Sequence, residues 1–154
     1  MEFTERKQNR IEKYDYSLAG AYFITICTKN REPLLSDIVG DDAHIDPKPC
    51  GIVLERYIRN AREIEKYIIM PDHVHMIIRI ENPGNEVKNI QPQSSQISNI
   101  VRSIKTLTAK EVGRPIFQRS YYDHVIRNQR DYDEIWEYIE NNSKKWVMKK
   151  RGWE

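Results

Sequence analysis

The sequence lacks any long apolar run, and no stretch approaches the ~18 consecutive apolar residues of a membrane span. Its first residues, MEFTERKQNR, contain no apolar signal region, so we expect no export. The two cysteines, Cys27 and Cys50, match no metal-binding or redox motif, which favours reduced thiols in a cytoplasmic protein. With 25 basic and 23 acidic side chains, the chain also lacks the strong positive charge typical of many nucleic-acid-binding proteins.

A length of 154 residues predicts a single domain over 1–154, with enough chain for a substantial core. The near-neutral total hides an asymmetry in the distribution of charge. Residues 1–100 contain 13 basic and 15 acidic side chains, whereas residues 101–154 contain 12 and 8. The C-terminal third could therefore contact phosphates, although a solvated helical face explains the same charges equally well. The candidates for such contacts are Arg102, Lys105, Arg119, Lys144 and Lys145.

Hydrophobic patterning predicts alternating strands and helices. The predicted strands are 21–28, 66–70, 73–80 and 121–127, with a short extended piece near 34–39 in a loop over 29–49. The predicted helices are 50–66, 96–111 and 131–148, with an N-terminal arm at 1–20 and a flexible loop at 82–96. The order β-α-β-β-α-β with an appended helix predicts an α+β fold. This order of strands and helices is typical of a ferredoxin-like split βαβ sandwich, an antiparallel sheet with helices on one face, here with an added C-terminal helix.

The predicted strand 73–80 carries a His-x-His pattern. Its alternation places His73 and His75 on one side of the sheet, and Val74 and Met76 on the other. Residues on the same side of a strand lie ~6.6–7 Å apart, so the two imidazoles could bind one metal ion. Two histidines on a polar sheet face explain the pattern as well. A metal site needs at least one further ligand.

The last predicted helix offers a candidate for that ligand. Its inward stripe at helical spacing comprises Ile135, Tyr138, Ile139, Asn142 and Trp146. Asn142 is the polar member, and a buried amide is costly unless it has a partner. Its oxygen could bind a metal or accept a hydrogen bond, and Tyr138 would lie one helical turn away. An ordinary core role for Tyr138 stays open.

The segment IIMPDHVHMIIRI resembles the HUH segment (histidine, hydrophobic residue, histidine) of the single-tyrosine transposases of insertion sequences. The resemblance is to the branch that includes the REP-associated tyrosine transposases. YDYSLAGAYFITICT, SNIVRSIKTLTAK, and IFQRSYYDHVIRN followed by YIENN resemble further blocks of this family, in the same order. Together these blocks extend over most of the chain, from about Arg6 to Trp146.

The resemblance implies that His73, His75 and Asn142 bind a divalent metal ion, Mg²⁺ or Mn²⁺, and that Tyr138 is the nucleophile. The implied activity is nicking and rejoining of single-stranded or hairpin DNA through a covalent 5′-phosphotyrosine, as in a transposase. The resemblance also allows a homodimer, in which Tyr138 would serve its own metal site or that of a second copy. Two positions depart from the family pattern, with Asp72 in place of the usual Asn and Ser143 in place of a common Pro.

Two other functions remain open from the residues alone. A non-catalytic nucleic-acid-binding module, or a domesticated transposase, would need no nucleophile. A zinc-dependent hydrolase would need a third ligand, for which Asp72 and His124 are the nearby candidates. Neither function explains why Tyr138 is paired with Asn142. The competing tyrosines, none of which has an amide one helical turn towards the C-terminus, are Tyr121, Tyr122 and Tyr132.

Overall fold

The computed structural model describes residues 20–80, 93–150 and 152. Its strands are β1 (Ala21–Cys27), β2 (Ser36–Val39), β3 (His44–Pro47), β4 (Ile64–Ile69), β5 (His73–Arg79) and β6 (Tyr122–Val125). Its helices are α1 (Pro49–Asn60), α2 (Gln93–Val112), α3 (Gln129–Glu140) and α4 (Asn142–Lys150). A single 3-10 turn, Lys29–Arg31, follows β1. None of the described helices is long and apolar enough to cross a membrane.

Four of these strands form one antiparallel sheet in the order β4-β5-β1-β6. Apart from the hairpin β2–β3, the chain runs β1, α1, β4, β5, α2, β6, so that each of the first two helices connects two strands. This is the order of a split βαβ sandwich. The predicted α+β, ferredoxin-like fold is therefore confirmed.

We call the side of the sheet that α1 and α2 cover the helix face. Val74, Met76 and Ile78 of β5 point to it and are fully buried, as their alternation predicts. Helix α1 lies so close to the chain before β2 that a Cβ at Gly51 would clash with the carbonyl oxygen of Leu35. The residues that α1 and α2 bury here are Leu54, Ile58, Ile97, Val101 and Ile104.

We call the opposite side of the sheet the site face. Phe23 of β1 and Ile77 of β5 are buried here against Ile135 and Ile139 of α3. The hairpin β2–β3 packs against the same cluster through Ile38 and Ile45. The appended C-terminal helices therefore cover the side of β5 that carries the two histidines.

Four differences between the predicted and the observed elements go beyond one or two residues at an end. The helix predicted over 50–66 ends at Asn60, because Ile64 pairs with Ile78 and begins β4. The predicted helix 131–148 is two helices divided at Asn141, in an Asn-Asn-Ser segment whose side chains compete with the helical backbone for hydrogen bonds. The loop predicted over 29–49 contains β3. Helix α2 begins at Gln93, so the predicted loop 82–96 is shorter at its C-terminal end.

Parts of two predicted segments lie outside the described residues. These are residues 82–92 of the predicted flexible loop and residues 1–19 of the predicted N-terminal arm.

Candidate active site

The two histidines of β5 lie side by side on the site face. Their ring centroids are 4.6 Å apart, and the residues are only 9% (His73) and 6% (His75) exposed. Burial lowers the pKa of both imidazoles, and it lowers that of His75 to about 3, with the nearby His73 adding to the effect. Both rings are therefore neutral at neutral pH, which is the form in which an imidazole nitrogen binds a metal.

A chain of three side chains orients the ring of His73. Arg31 Nε donates to Asp72 Oδ2 at 3.1 Å, and Asp72 Oδ1 lies 2.8 Å from His73 Nδ1. Burial alone would raise the pKa of Asp72, but the hydrogen bonds from Arg31 and His73 hold that pKa below its usual range. Since an ionised carboxylate can only accept, His73 carries its proton on Nδ1 and presents the lone pair of Nε2.

The ring of His75 is oriented by β1, whose Thr25 is its partner in the strand register. Thr25 Oγ1 lies 2.8 Å from His75 Nδ1. Phe23 stacks on the same ring, with a centroid separation of 5.2 Å. With Nδ1 engaged by the threonine, Nε2 is the nitrogen of His75 that can bind a ligand.

The C-terminal helices bring Tyr138 and Asn142 to the two histidines. The ring centroids of Tyr138 and His75 are 5.4 Å apart. Asn142 is 9% exposed, and its side chain hydrogen bonds to His73. The two residues do not share one helix as predicted, because they lie on either side of the break at Asn141. We call His73, His75, Tyr138 and Asn142 the His–Tyr cluster.

The rest of the predicted inward stripe packs as expected. Ile135 and Ile139 are buried in the site-face core, and Tyr138 and Trp146 pack against it. Trp146 also lies beside His73, with ring centroids 6.4 Å apart. The helical spacing in the sequence therefore identified the residues that cover the histidines, even though the helix is broken.

The basic residues predicted to contact phosphates divide between the two faces. Lys145 Nζ lies 5.8 Å from the ring centroid of Tyr138, and Lys144 is exposed next to it on α4. Arg102 and Lys105 belong to α2, which covers the helix face, so the sheet separates them from the His–Tyr cluster. Lys105 Nζ donates to the backbone oxygen of Arg119 at 2.8 Å, which ties α2 to the loop before β6.

The other candidates from the sequence have partners elsewhere. His124 Nε2 lies 2.9 Å from Asp131 Oδ2 and links β6 to the first turn of α3. Tyr132 donates to Glu65 at 2.8 Å, and burial together with this bond raises the pKa of Tyr132 to about 12. Tyr121 packs against the core of the helix face. Tyr122 is exposed, and its pairing with Thr25 places it on the site face.

The described part of the chain contains no group of three His, Cys, Asp or Glu side chains that could hold a metal ion. Both oxygens of Asp72 are engaged, one by Arg31 and one by His73, and His124 is held by Asp131. The two candidates for the third ligand of a hydrolytic zinc site are thus occupied. The remaining donor set at the His–Tyr cluster is two imidazole nitrogens and one amide oxygen.

Sequence reasoning missed Thr25 and Arg31, which support the histidines. Both depend on the pairing of β1 with β5, in which Thr25 faces His75 and Cys27 faces His73. No local pattern shows this register. The one available signal is that Thr25 is the polar residue within the apolar strand AYFITIC.

Comparison with known proteins gives the family. The model of the family described as "Transposase IS200 like" matches residues 17–142. The chain belongs to the IS200-like transposase family. Members of this family are transposases, so the family assignment supports a transposase role and confirms the resemblance seen in the sequence motifs.

Two relatives of this chain come from Haemophilus influenzae. An uncharacterized protein is 33% identical over 162 residues, covering 92% of this chain and 89% of that protein. A second protein, named as a REP-associated tyrosine transposase, is 26% identical over 134 residues, covering 83% of this chain and 72% of that protein.

A solved structure of a REP-associated tyrosine transposase bound to a REP hairpin has the same fold. The TM-score is 0.56 at 22% sequence identity, and the match covers 98% of this chain and 76% of that chain. At this level of identity the likeness shows the fold alone, and it agrees with the strand order described above.

Proposed function

We propose that this protein is a metal-dependent enzyme that nicks and rejoins single-stranded DNA, with Tyr138 as the nucleophile. The observation that supports this most is the position of Tyr138, whose ring centroid lies 5.4 Å from that of His75 in the same chain. A phenol beside two neutral imidazoles combines a covalent nucleophile with metal ligands. The contact favours action of Tyr138 at the metal site of its own chain.

His73, His75 and Asn142 would hold the divalent ion. The donor set fits, because Asp72 directs Nε2 of His73 to a ligand and Asn142 already hydrogen bonds to that ring. Imidazole nitrogens suit several transition metals, and the family resemblance favours Mn²⁺ or Mg²⁺. When bound, such an ion would polarise the phosphate and offset the negative charge that develops during the reaction.

The proposed reaction begins when the phenol oxygen of Tyr138, after losing its proton, attacks the phosphorus of the scissile phosphate. The bond from phosphorus to O3′ breaks, the 3′ oxygen takes up a proton, and a 5′-phosphotyrosine remains. A 3′-hydroxyl can later attack the same phosphorus and release the tyrosine, so rejoining needs no ATP. Lys145, 5.8 Å from the Tyr138 ring centroid, supplies a positive charge next to this exchange.

The proposed substrate is single-stranded or hairpin-forming DNA. The fold relative was solved with a REP hairpin, and the exposed cations of α4 lie next to the His–Tyr cluster. Lys144 and Lys145 would contact phosphates close to the cleaved bond, and Arg102, Lys105 and Arg119 would contact more distant ones. We further propose that residues 1–154 form a single HUH domain that both binds and cleaves the DNA, in the cytoplasm.

A covalent adduct tests the proposed chemistry. Labelled hairpin DNA from the sequences that flank the protein's own gene is incubated with the protein and Mn²⁺, and the products are separated on a denaturing gel. We expect an adduct with the unmodified protein and none with Tyr138→Phe or His73→Ala. Tyr132→Phe is the matched control on α3, because its hydroxyl binds Glu65 rather than the histidines, and it should retain the adduct.

Two outcomes would overturn the proposal. An adduct that persists in Tyr138→Phe contradicts the choice of nucleophile. DNA that binds tightly to the unmodified protein, yet forms no adduct with any divalent ion, favours the non-catalytic binding module.

A further inference from the structure

We infer that Arg31 and Tyr122 form a binding subsite for one nucleotide of single-stranded DNA beside the His–Tyr cluster. In this subsite Arg31 contacts a phosphate and Tyr122 stacks on a base. The Arg31–Tyr122 subsite rests on the proposed function, because it assigns part of the substrate to the same face of the sheet. Neither residue belongs to the set of phosphate contacts that the sequence predicts.

The turn after β1 holds Arg31 in an unusual backbone conformation. Its φ is +54°, in the left-handed region that residues other than glycine seldom adopt. Backbone hydrogen bonds anchor the residues just before Arg31, since Lys29 N–H donates to the Ile116 oxygen at 2.9 Å and Thr28 N–H donates to the Asp72 oxygen at 3.0 Å. Strained residues that are held in this way concentrate at functional sites.

The guanidinium of Arg31 can donate more hydrogen bonds than the one it makes to Asp72. Its Nε binds Asp72 at 3.1 Å, while 53% of the side chain remains exposed. A guanidinium carries five N–H donors in a planar fork. Among the described residues, the hydrogen bond of this guanidinium is from Nε to Asp72, which leaves both Nη groups for a second anion. Phosphate matches this fork well. Because Asp72 also binds His73, the exposed guanidinium lies at the border of the His–Tyr cluster.

Tyr122 presents its ring on the same face of the sheet. It pairs with Thr25 in the register of β6 and β1, and Thr25 hydrogen bonds to His75. Directly paired residues of antiparallel strands project to the same side, so Tyr122 and His75 share the site face. The preceding Tyr121 packs into the core of the opposite, helix face, as the alternation requires. On its edge strand Tyr122 is 67% exposed.

Arg31 and Tyr122 lie close enough to interact electrostatically. A cation next to an exposed aromatic ring is the combination by which proteins bind single-stranded DNA without reading its sequence. In the described part of the chain, Trp136 is a second exposed aromatic side chain near the site face, and its ring already contacts Lys66 and Tyr132. Among the described residues, the geometry therefore points to Arg31 and Tyr122 as the nucleotide contact.

Binding is measured in a Tyr138→Phe background with a chelator present, so that neither cleavage nor metal contributes. The probe is a fluorescent oligo(dT) of about 16 nucleotides, and the readout is fluorescence anisotropy. The variants are Arg31→Ala, Tyr122→Ala, their combination, and Tyr122→Trp. The controls are Arg56→Ala and Tyr57→Ala on α1, over the helix face. Arg56 matches Arg31 closely, with one carboxylate partner at 2.7 Å and a side chain that is 51% exposed.

We expect Arg31→Ala and Tyr122→Ala each to weaken binding by about 10-fold. Tyr122→Trp should bind as tightly as the parent, because it keeps a stacking ring. Arg31→Ala should lower the slope of log Kd against log salt by ~0.7, the contribution of one phosphate contact in single-stranded DNA. Tyr122→Ala should leave that slope unchanged. A merely structural role of these residues would explain neither the retained affinity of Tyr122→Trp nor the lower salt slope of Arg31→Ala.

The subsite is overturned if the control variants lose as much affinity as Arg31→Ala and Tyr122→Ala, or if Tyr122→Trp binds no better than Tyr122→Ala. Tyr122 is exposed, so its variants keep the test decisive even if Arg31→Ala fails to fold. The outcome of the adduct assay does not depend on this binding assay. If the unmodified protein forms the adduct but the Arg31 and Tyr122 variants bind DNA as tightly as the parent, the subsite is wrong and the proposed function stands. If the variants bind DNA more weakly but no adduct depends on Tyr138, the subsite stands and the choice of nucleophile is wrong.

Discussion

The two faces of the sheet are built from the same strands but serve different ends. In β5, Val74, Met76 and Ile78 pack under α1 and α2, whereas His73 and His75 face α3 and α4. One strand therefore contributes apolar burial to one side and the proposed metal ligands to the other. The helix face of β5 therefore contributes to packing, whereas its site face combines packing with the proposed chemistry.

The faces also differ in how they treat buried polar atoms. On the site face Thr25 is bonded to His75, Asp72 is bonded to His73, and Asn142 reaches the same imidazole. On the helix face the hydroxyl oxygen of Thr108 is buried in α2 and has no hydrogen-bond partner among the described residues. A site whose polar groups are paired in this way is oriented before any ligand arrives.

Loss of core volume on the helix face should have the largest effect on stability. Leu54 is fully buried there, and Leu54→Ala should lower the free energy of unfolding by about 2–5 kcal/mol, through lost burial and a residual cavity. Urea unfolding measures this change. The affinity of the folded protein for Mn²⁺ should not change, and a parallel loss of metal affinity would show that the two faces are not separable.

Removal of a proposed metal ligand on the site face should have the opposite outcome, in which metal affinity falls more than stability. His75→Ala should weaken Mn²⁺ binding by more than ~100-fold, above the range typical of residues that only support a ligand. Isothermal titration calorimetry measures this affinity. His124→Ala is the control, because the imidazole of His124 is bound to Asp131 on α3. Equal losses in the two variants would contradict the assignment of the ligands.

A matched pair of threonine variants should produce the smallest effects, with opposite signs. Thr108→Val removes an unpaired buried hydroxyl and should raise the free energy of unfolding by about 1 kcal/mol. Thr25→Val leaves His75 Nδ1 without its partner and should lower that free energy by about 1–3 kcal/mol. Thermal unfolding of both variants checks the signs. Two changes of the same sign would remove the contrast between the faces.

Much of this organisation could be predicted from local sequence patterns. The alternation in HVHMIIRI predicted which face holds the histidines, and the spacing of Ile135, Tyr138, Ile139 and Trp146 predicted the covering helix surface. Both predictions succeeded because strand and helix periodicities are properties of neighbouring residues.

The rest depends on contacts between distant parts of the chain. Thr25 supports His75 across 50 positions of sequence, and Arg31 reaches Asp72 only because of a turn with positive φ. β3, with the sequence HIDP, has no apolar alternation and forms by pairing with β2. The break at Asn141 was hidden because the apolar spacing continues through it.

The most direct test of the central claim is to find the residue that becomes linked to DNA. After reaction with substrate, the protein is digested with trypsin and nuclease, and the modified peptide is fragmented by mass spectrometry. Tyr138 lies in the tryptic segment 131–144, whereas Tyr121 and Tyr122 lie in 120–127. We predict a nucleotide mass on Tyr138. A nucleotide on Tyr122, Tyr132 or any other residue would contradict the account.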